Sequence, residues 1–267
     1  MAVRDLDLAA DDRVLPATRA VAYAIVPFLV VGFAVLYPWP TDTERLFAWH
    51  VVPTMTPMVL GSAYLGGAYF FIRVARSATW HTVKGGLVPV AVFASLMGVA
   101  TILHWNKFAH GHVAFWLWAV LYFTTPFLIV GVWLANRTHD TRPNADDLLL
   151  SWPTVGIIAA AGTLALGTGL LLFVSPLTAV RIWPWHLTPL TARVLGAVLC
   201  LGVAGIGAPF DRRWSTARIP VQVAGVMLTL MVIAGIRARA EFVTTRPLTW
   251  LLAVGFTTAA VVVETFY

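Results

Sequence analysis

The sequence predicts an all-α integral membrane protein with eight transmembrane helices, arranged as two four-helix repeats of the same topology. Three observations predict this class. Hydrophobic residues make up 59% of the 267-residue chain and charged residues only 11%, which is too little charge to cover a water-soluble domain of this length. Apolar stretches of about 20 residues, the length that spans a bilayer as a helix, recur from end to end. Two long segments of the chain also resemble each other.

The repeat joins residues 45–80 to residues 181–214. The first copy opens RLFAWH and the second RIWPWH, and both continue through Pro/Thr and Val-Leu-Gly to an Arg-containing segment that ends in Trp. A weaker similarity links LYFTT at 121–125 to VGFTT at 254–258. Each copy holds an even number of spans, so both enter the membrane from the same side. We therefore expect parallel repeats related by a pseudo-two-fold axis along the membrane normal.

The eight apolar stretches are expected to be helices, because backbone polar groups inside a bilayer must be satisfied within the chain. The second contains Pro53 and Pro57, which predict kinked or unwound first turns. The fifth is rich in Gly and Ala, which favours close helix packing. The spans are 19–38, 48–72, 85–104, 112–135, 153–174, 188–209, 219–236 and 248–266. We divide the chain into a tail (1–18), a first repeat (19–135), a linker (136–152) and a second repeat (153–267).

The loops orient the chain by their Lys and Arg content. Eleven of the 18 cations fall on the side that holds the N-terminus and seven on the opposite side, so both termini are expected in the cytoplasm. Glu264, in the last span, is expected to reach the cytoplasmic headgroups. Heavy use of Ala, Val and Arg with only two lysines is typical of GC-rich bacteria, which places the chain in an inner membrane. The scattered cations argue against nucleic-acid binding.

Histidine and tryptophan concentrate on the predicted outer side. Five of the seven histidines fall there: His50, His104, His110, His112 and His186. Tryptophan is common at any membrane interface, but this number of histidines with it is not. We predict a ligand pocket formed by Trp49, His50, His104, Trp105, Trp185 and His186, with Arg239 and Glu241 as polar support. Glu241 has two interpretations, a base beside His104 or a partner of Arg237 on its own helix at i, i+4, and we favour the pairing.

The same histidines offer two cofactor hypotheses. His110 and His112 with His104 would supply three imidazoles to a divalent metal, although the spacing fits no established metal motif. His50 begins the second span and His104 ends the third, so the two would approach each other as axial ligands of haem b. Simple interfacial histidines bonded to water and headgroups are the alternative to both.

These patterns lead to three functional hypotheses. The first is an inner-membrane protein that binds or moves a small amphiphilic ligand, such as a lipid or a quinone, in a His/Trp-rich outer pocket. The second is a membrane redox protein holding haem or a metal ion at that face. The third is a structural subunit that packs against a partner protein or a second copy of itself. No nucleophile elbow, P-loop or dinucleotide motif occurs, so whether the chain is an enzyme stays open.

Overall fold

The computed structural model describes residues 11–141, 143 and 146–265. Within these ranges the chain is helical apart from turns, loops and two isolated β-bridges. Eight helices are long and apolar enough to cross a membrane, which confirms the helical class and indicates a multi-pass membrane protein. They are α1 (Pro16–Leu36), α2 (Met55–Arg76), α3 (Lys84–Leu103), α4 (Val113–His139), α5 (Trp152–Val174), α6 (Pro189–Ile206), α7 (Trp214–Arg237) and α8 (Pro247–Thr265).

Proline and hydroxyl side chains set several helix starts. Pro16 and Pro189 occupy the first positions of α1 and α6, where the missing N–H costs nothing. Thr188 and Thr191 form a reciprocal capping box at α6, which satisfies two backbone N–H groups. The second span was predicted from residue 48 with kinked or unwound first turns, and α2 begins only at Met55. Val52 precedes Pro53, a position that disfavours helical geometry, so the helix starts after the proline.

The centre of the bundle is formed by α2 and α6, the two helices that carry Val-Leu-Gly. In α2, 72% of the most apolar stretch is buried, against 11% in α8. Helix α2 packs on α1 from its own half and on α7 from the other half; α6 packs on α5 and, across the halves, on α3. Helices α2 and α6 also touch each other. The two halves therefore interleave through one shared core.

Glycines let the backbones of α5 and α6 pack very close together. A Cβ atom added to Gly169 would lie 2.6 Å from the carbonyl oxygen of Gly196, and one added to Gly205 would lie 2.5 Å from that of Ile158. Only glycine permits backbones this close. Gly156 and Gly167 on α5, by contrast, have nothing within 4 Å of an added Cβ.

Loops gather at two opposite ends of the bundle, which we name by their content. The histidine face consists of the connecting segments 37–54, 104–112, 175–188 and 238–246, two of which contain the short helices Thr43–Leu46 and Pro176–Ile182. The terminal face consists of residues 11–15, 77–83, 140–141, 143, 146–151 and 207–213. On the terminal face, Arg13 pairs with Thr79 and Leu149 with Arg213 as antiparallel bridges. The segment before each half is thus tied to a loop within that half in the same way.

A network of ion pairs connects the segments of the terminal face. Arg213 is only 2% exposed and donates from Nη2 to Asp211 Oδ2 at 2.7 Å. Lys84 Nζ lies 2.9 Å from Asp211 and 2.7 Å from Asp140. Burial by itself raises the pKa of Asp211, but hydrogen bonds from Arg213 and Lys84 outweigh it and hold that pKa well below its usual range. The network joins the start of α3, the loop after α4 and the loop before α7.

Candidate functional site

The loops of the histidine face dock in two matched pairs. Ala109 N donates to Ala48 O at 2.9 Å in the first half, and Val243 N donates to Pro184 O at 2.7 Å in the second. Each bond ties the loop after the third helix of a half to the loop before its second helix. The loops are therefore held by backbone hydrogen bonds and not only by side-chain packing.

Both tryptophans of the repeated Trp-His element are buried among aromatic rings. Trp49 is 4% exposed and its ring lies 5.1 Å from Phe108 and 4.9 Å from Trp118, measured between centroids. Trp185 is 1% exposed and lies 5.3 Å from Trp183. Such offset and edge contacts stabilise a core beyond simple burial. The two tryptophans thus act as core residues beneath the face.

The two halves meet at the first turn of α2. Trp185 Nε1 donates to Thr56 Oγ1 at 3.0 Å. The Glu241 carboxylate accepts from Thr54 N at 2.8 Å, from Thr54 Oγ1 at 2.5 Å and from Met55 N at 2.9 Å. A helix start leaves backbone N–H groups without partners and carries partial positive charge. Glu241 therefore caps α2 from a loop almost two hundred residues away in sequence.

The interpretation that Glu241 pairs with Arg237 is wrong. Arg237 instead donates from Nη1 to Tyr37 O at 2.8 Å and from Nη2 to Pro38 O at 3.3 Å. Those carbonyls lie at the end of α1, where backbone acceptors lack helical partners. Glu241 thus bonds to the start of α2, and Arg237, four residues before it, bonds to the end of α1.

We expect Glu241→Ala to lower the free energy of unfolding by about 1–2 kcal/mol, because it leaves two backbone N–H groups and a hydroxyl without their acceptor. Unfolding in mixed detergent micelles, followed by circular dichroism, measures this change. Glu44→Ala removes an exposed acid from the same face and serves as the control. Equal stability of the two variants would contradict the capping role.

His104 is held by an arginine and not by another histidine. Arg193 Nη1 lies 2.7 Å from His104 Nε2, so the guanidinium donates to a neutral ring. Burial, Arg193 and Lys107 all lower the pKa of His104, because each penalises the charged imidazolium. The Nε2 atom that would bind haem iron opposite His50 is thus engaged by Arg193, and haem binding at this pair requires that bond to break.

The other two proposed metal ligands have local contacts. The His110 ring lies 5.0 Å from that of Trp105 and 4.7 Å from that of Phe115. His112 Nδ1 accepts from Ala114 N at 3.3 Å and caps α4. Across residues 11–141, 143 and 146–265, no group of three or more His, Cys, Asp or Glu side chains is placed to hold a metal ion. The three imidazoles therefore do not form a ready metal site.

The remaining predicted residues present polar groups to the outside of this face. His50, His186 and Arg239 are exposed, and Trp105 is 42% exposed. The segments of this face carry five Lys and Arg residues against three acids, Asp42, Glu44 and Glu241, so its net charge is positive. Of the eight predicted ligand-binding residues, these four are placed to meet a molecule from outside; Trp49, Trp185, His104 and Glu241 support the loops.

A polar groove that the sequence did not predict lies between α2, α7 and α8. Its volume is about 210 Å³, and it is lined by Tyr69, Gln222, Gly225, Val226, Val263 and Glu264. Tyr69 Oη donates to Gln222 Oε1 at 2.6 Å, and Arg73 Nη1 donates to Tyr69 Oη at 2.9 Å. The lining residues come from three separate stretches of the chain that no motif links, so only the packing of three helices brings them together.

No protein-family model, no curated protein and no solved structure matches this chain.

Proposed function

We propose that the chain is a bacterial inner-membrane protein built from two parallel repeats, whose histidine face binds the polar end of a small amphiphilic ligand. The eight apolar helices support membrane insertion. The excess of Lys and Arg on the terminal face supports its placement in the cytoplasm. The apolar side chains on the outside of the bundle, such as Phe127 at 77% exposure, are suited to contact with acyl chains.

Matched contacts in the two halves support the repeat. Trp116 Nε1 donates to His110 O at 2.9 Å, and Trp250 Nε1 donates to Thr244 O at 3.0 Å. The bridges on the terminal face and the loop-docking bonds on the histidine face also occur once in each half. A common offset of about 134–136 residues relates all of these pairs.

The observation that carries the ligand proposal is that both repeated Trp-His elements expose their imidazole on the histidine face. His50 and His186 each follow a buried tryptophan, and Trp185 bonds the first turn of α2 directly. Imidazole both donates and accepts hydrogen bonds, which suits the carbonyl or hydroxyl head of a quinone-like molecule. The exposed Trp105 and Arg239 add an aromatic surface and a cation to the same face.

The test compares the double variant His50→Gln/His186→Gln with wild type, using a short-chain quinone as the probe and quenching of tryptophan fluorescence as the readout. We expect the Kd of the double variant to be about tenfold higher, because one or two hydrogen bonds to the quinone are lost. His139→Gln, a histidine on the terminal face, is the matched control. Identical quenching in all three proteins, or none in wild type, would refute quinone binding here.

The redox and structural alternatives each have a distinct readout. An absorption spectrum of the purified protein before and after dithionite shows a shifting Soret band if haem is bound. For a structural subunit, the open glycines Gly156 and Gly167 on α5 would accept a helix from another chain. Crosslinking from Gly156→Cys to a second polypeptide would favour that alternative.

A further inference from the structure

Glu264 lies near the end of the chain, and its side chain is exposed on the outside of the bundle beside α7. Its Oε1 atom accepts from Thr229 Oγ1 at 3.2 Å. Thr229 is fifteen residues along α7 from Trp214, which corresponds to about 22 Å of helix. The carboxylate thus lies beside the middle of α7, where α8 packs. The expectation that Glu264 reaches the headgroups stays a prediction.

The carboxylate has no cationic partner among the residues that the structure describes. Glu264 takes part in none of their ion pairs, and its hydrogen bond from Thr229 is neutral. An ionisable group within a membrane span is costly unless it is paired, and such groups mark ligand and ion sites. The groove thus holds an acid that forms no ion pair with the described part of the chain.

The rest of the groove is shaped for a small organic group. Val226 and Val263 supply apolar walls and Tyr69 an aromatic ring. At Gly225 an added Cβ would lie 3.0 Å from Val263 Cγ1 and 3.5 Å from Glu264 Oε1, so glycine at this position lets α8 approach closely. Arg73 is not part of the lining; its guanidinium is engaged by Tyr69 and Gln222. Among residues 11–141, 143 and 146–265, Glu264 is therefore the one charged side chain that lines the groove.

From these features the geometry points to a binding site for a lipophilic ammonium compound, meaning an amine that carries an apolar chain or ring and enters from the membrane. The ammonium group donates to the Glu264 carboxylate, a charge-assisted bond that is stronger in a low dielectric than in water. The apolar substituent packs on Val226 and Val263. This site rests on the groove and is independent of the histidine face.

The test measures Kd values for octylammonium by calorimetry on the full chain in a non-ionic detergent, with octanol as the neutral probe of equal chain length. We expect Glu264→Gln to weaken octylammonium binding about tenfold, the loss of one charge-assisted bond, and to leave octanol binding unchanged. Glu44→Gln, which removes an exposed acid from the histidine face, should bind octylammonium as wild type does. Size-exclusion chromatography reports whether each variant remains folded.

A second variant tests the apolar wall of the groove without changing the charge of Glu264. Val226→Phe fills the apolar wall and keeps Glu264, so we expect it also to weaken octylammonium binding severalfold. Octylammonium binding that is unchanged in Glu264→Gln, or a parallel loss of octanol binding in that variant, would overturn the proposal. If Val226→Phe bound octylammonium as tightly as wild type does, the groove would not be the binding site. None of these outcomes depends on quinone binding at the histidine face.

Discussion

Gly169→Ala is expected to lower the free energy of unfolding by roughly 1–3 kcal/mol, the usual effect of overpacking a tight contact. The added Cβ would lie 2.6 Å from Gly196 O and 2.9 Å from Cys200 N. Both neighbours are backbone atoms, which cannot rotate away as a side chain can. Helices α5 and α6 must therefore separate, which weakens the packing along their whole contact.

Gly167→Ala is the matched control on the same helix. Nothing lies within 4 Å of its added Cβ, so the substitution should be neutral or stabilise the helix by up to about 1 kcal/mol through higher helix propensity. Unfolding of both variants in mixed micelles, followed by far-ultraviolet circular dichroism, gives the comparison. Equal destabilisation of the two variants would mean that the α5–α6 contact is not as close as the structure has it.

Asp211→Ala should cost about 3–5 kcal/mol of unfolding free energy, because it leaves the buried Arg213 guanidinium without its main partner. Asp211 accepts from Arg213 Nε at 3.0 Å and Nη2 at 2.7 Å, and lies 2.9 Å from Lys84 Nζ. Asp140, at 3.8 Å from Arg213, is a weaker substitute. The same unfolding assay measures the loss, with Glu44→Ala as an exposed control. A loss below about 1 kcal/mol would fit a solvated surface pair instead.

Because the pKa of Asp211 is lowered, the contribution of this residue to the free energy of unfolding depends on pH in a defined direction. A carboxyl whose folded pKa lies below its unfolded value stabilises the fold above about pH 3.9, the ordinary pKa of aspartate, and loses this contribution as pH falls through the folded value. The stability difference between wild type and Asp211→Asn should thus be constant near neutral pH and shrink under acid conditions. A difference that stays the same down to pH 3 would contradict the shift.

Hydropathy alone predicted the number and order of the eight spans, and the structure confirms the helices within a few residues except at α2. That exception has a local cause. The apolar character of residues 48–52 extended the predicted span, but Pro53 and Pro57 also predicted unwound first turns, and the helix begins at Met55. The glycine content of the fifth span predicted close packing, but which glycines touch α6 depends on the rotation of α5.

The candidate sites divide in a similar way. Counting histidines and tryptophans located the histidine face, because loop membership follows from span order. The role of each residue there did not follow. Glu241 caps α2, Arg193 holds His104 and Trp185 bonds Thr56; each partner lies 89 or more residues away in the chain. No periodicity or spacing rule predicts contacts at that range.

The sequence by itself determined the helical class, the eight spans and the similarity between its halves, since each depends on local composition or on direct comparison of residues. Only the tertiary structure decided that the halves interleave, that Trp49 and Trp185 belong to the core, and that Glu264 lies in a groove beside Gln222 and Tyr69. Hydrophobicity selects which segments form spans. The rotation and depth at which those helices pack decide which side chains meet, and these depend on contacts between distant residues.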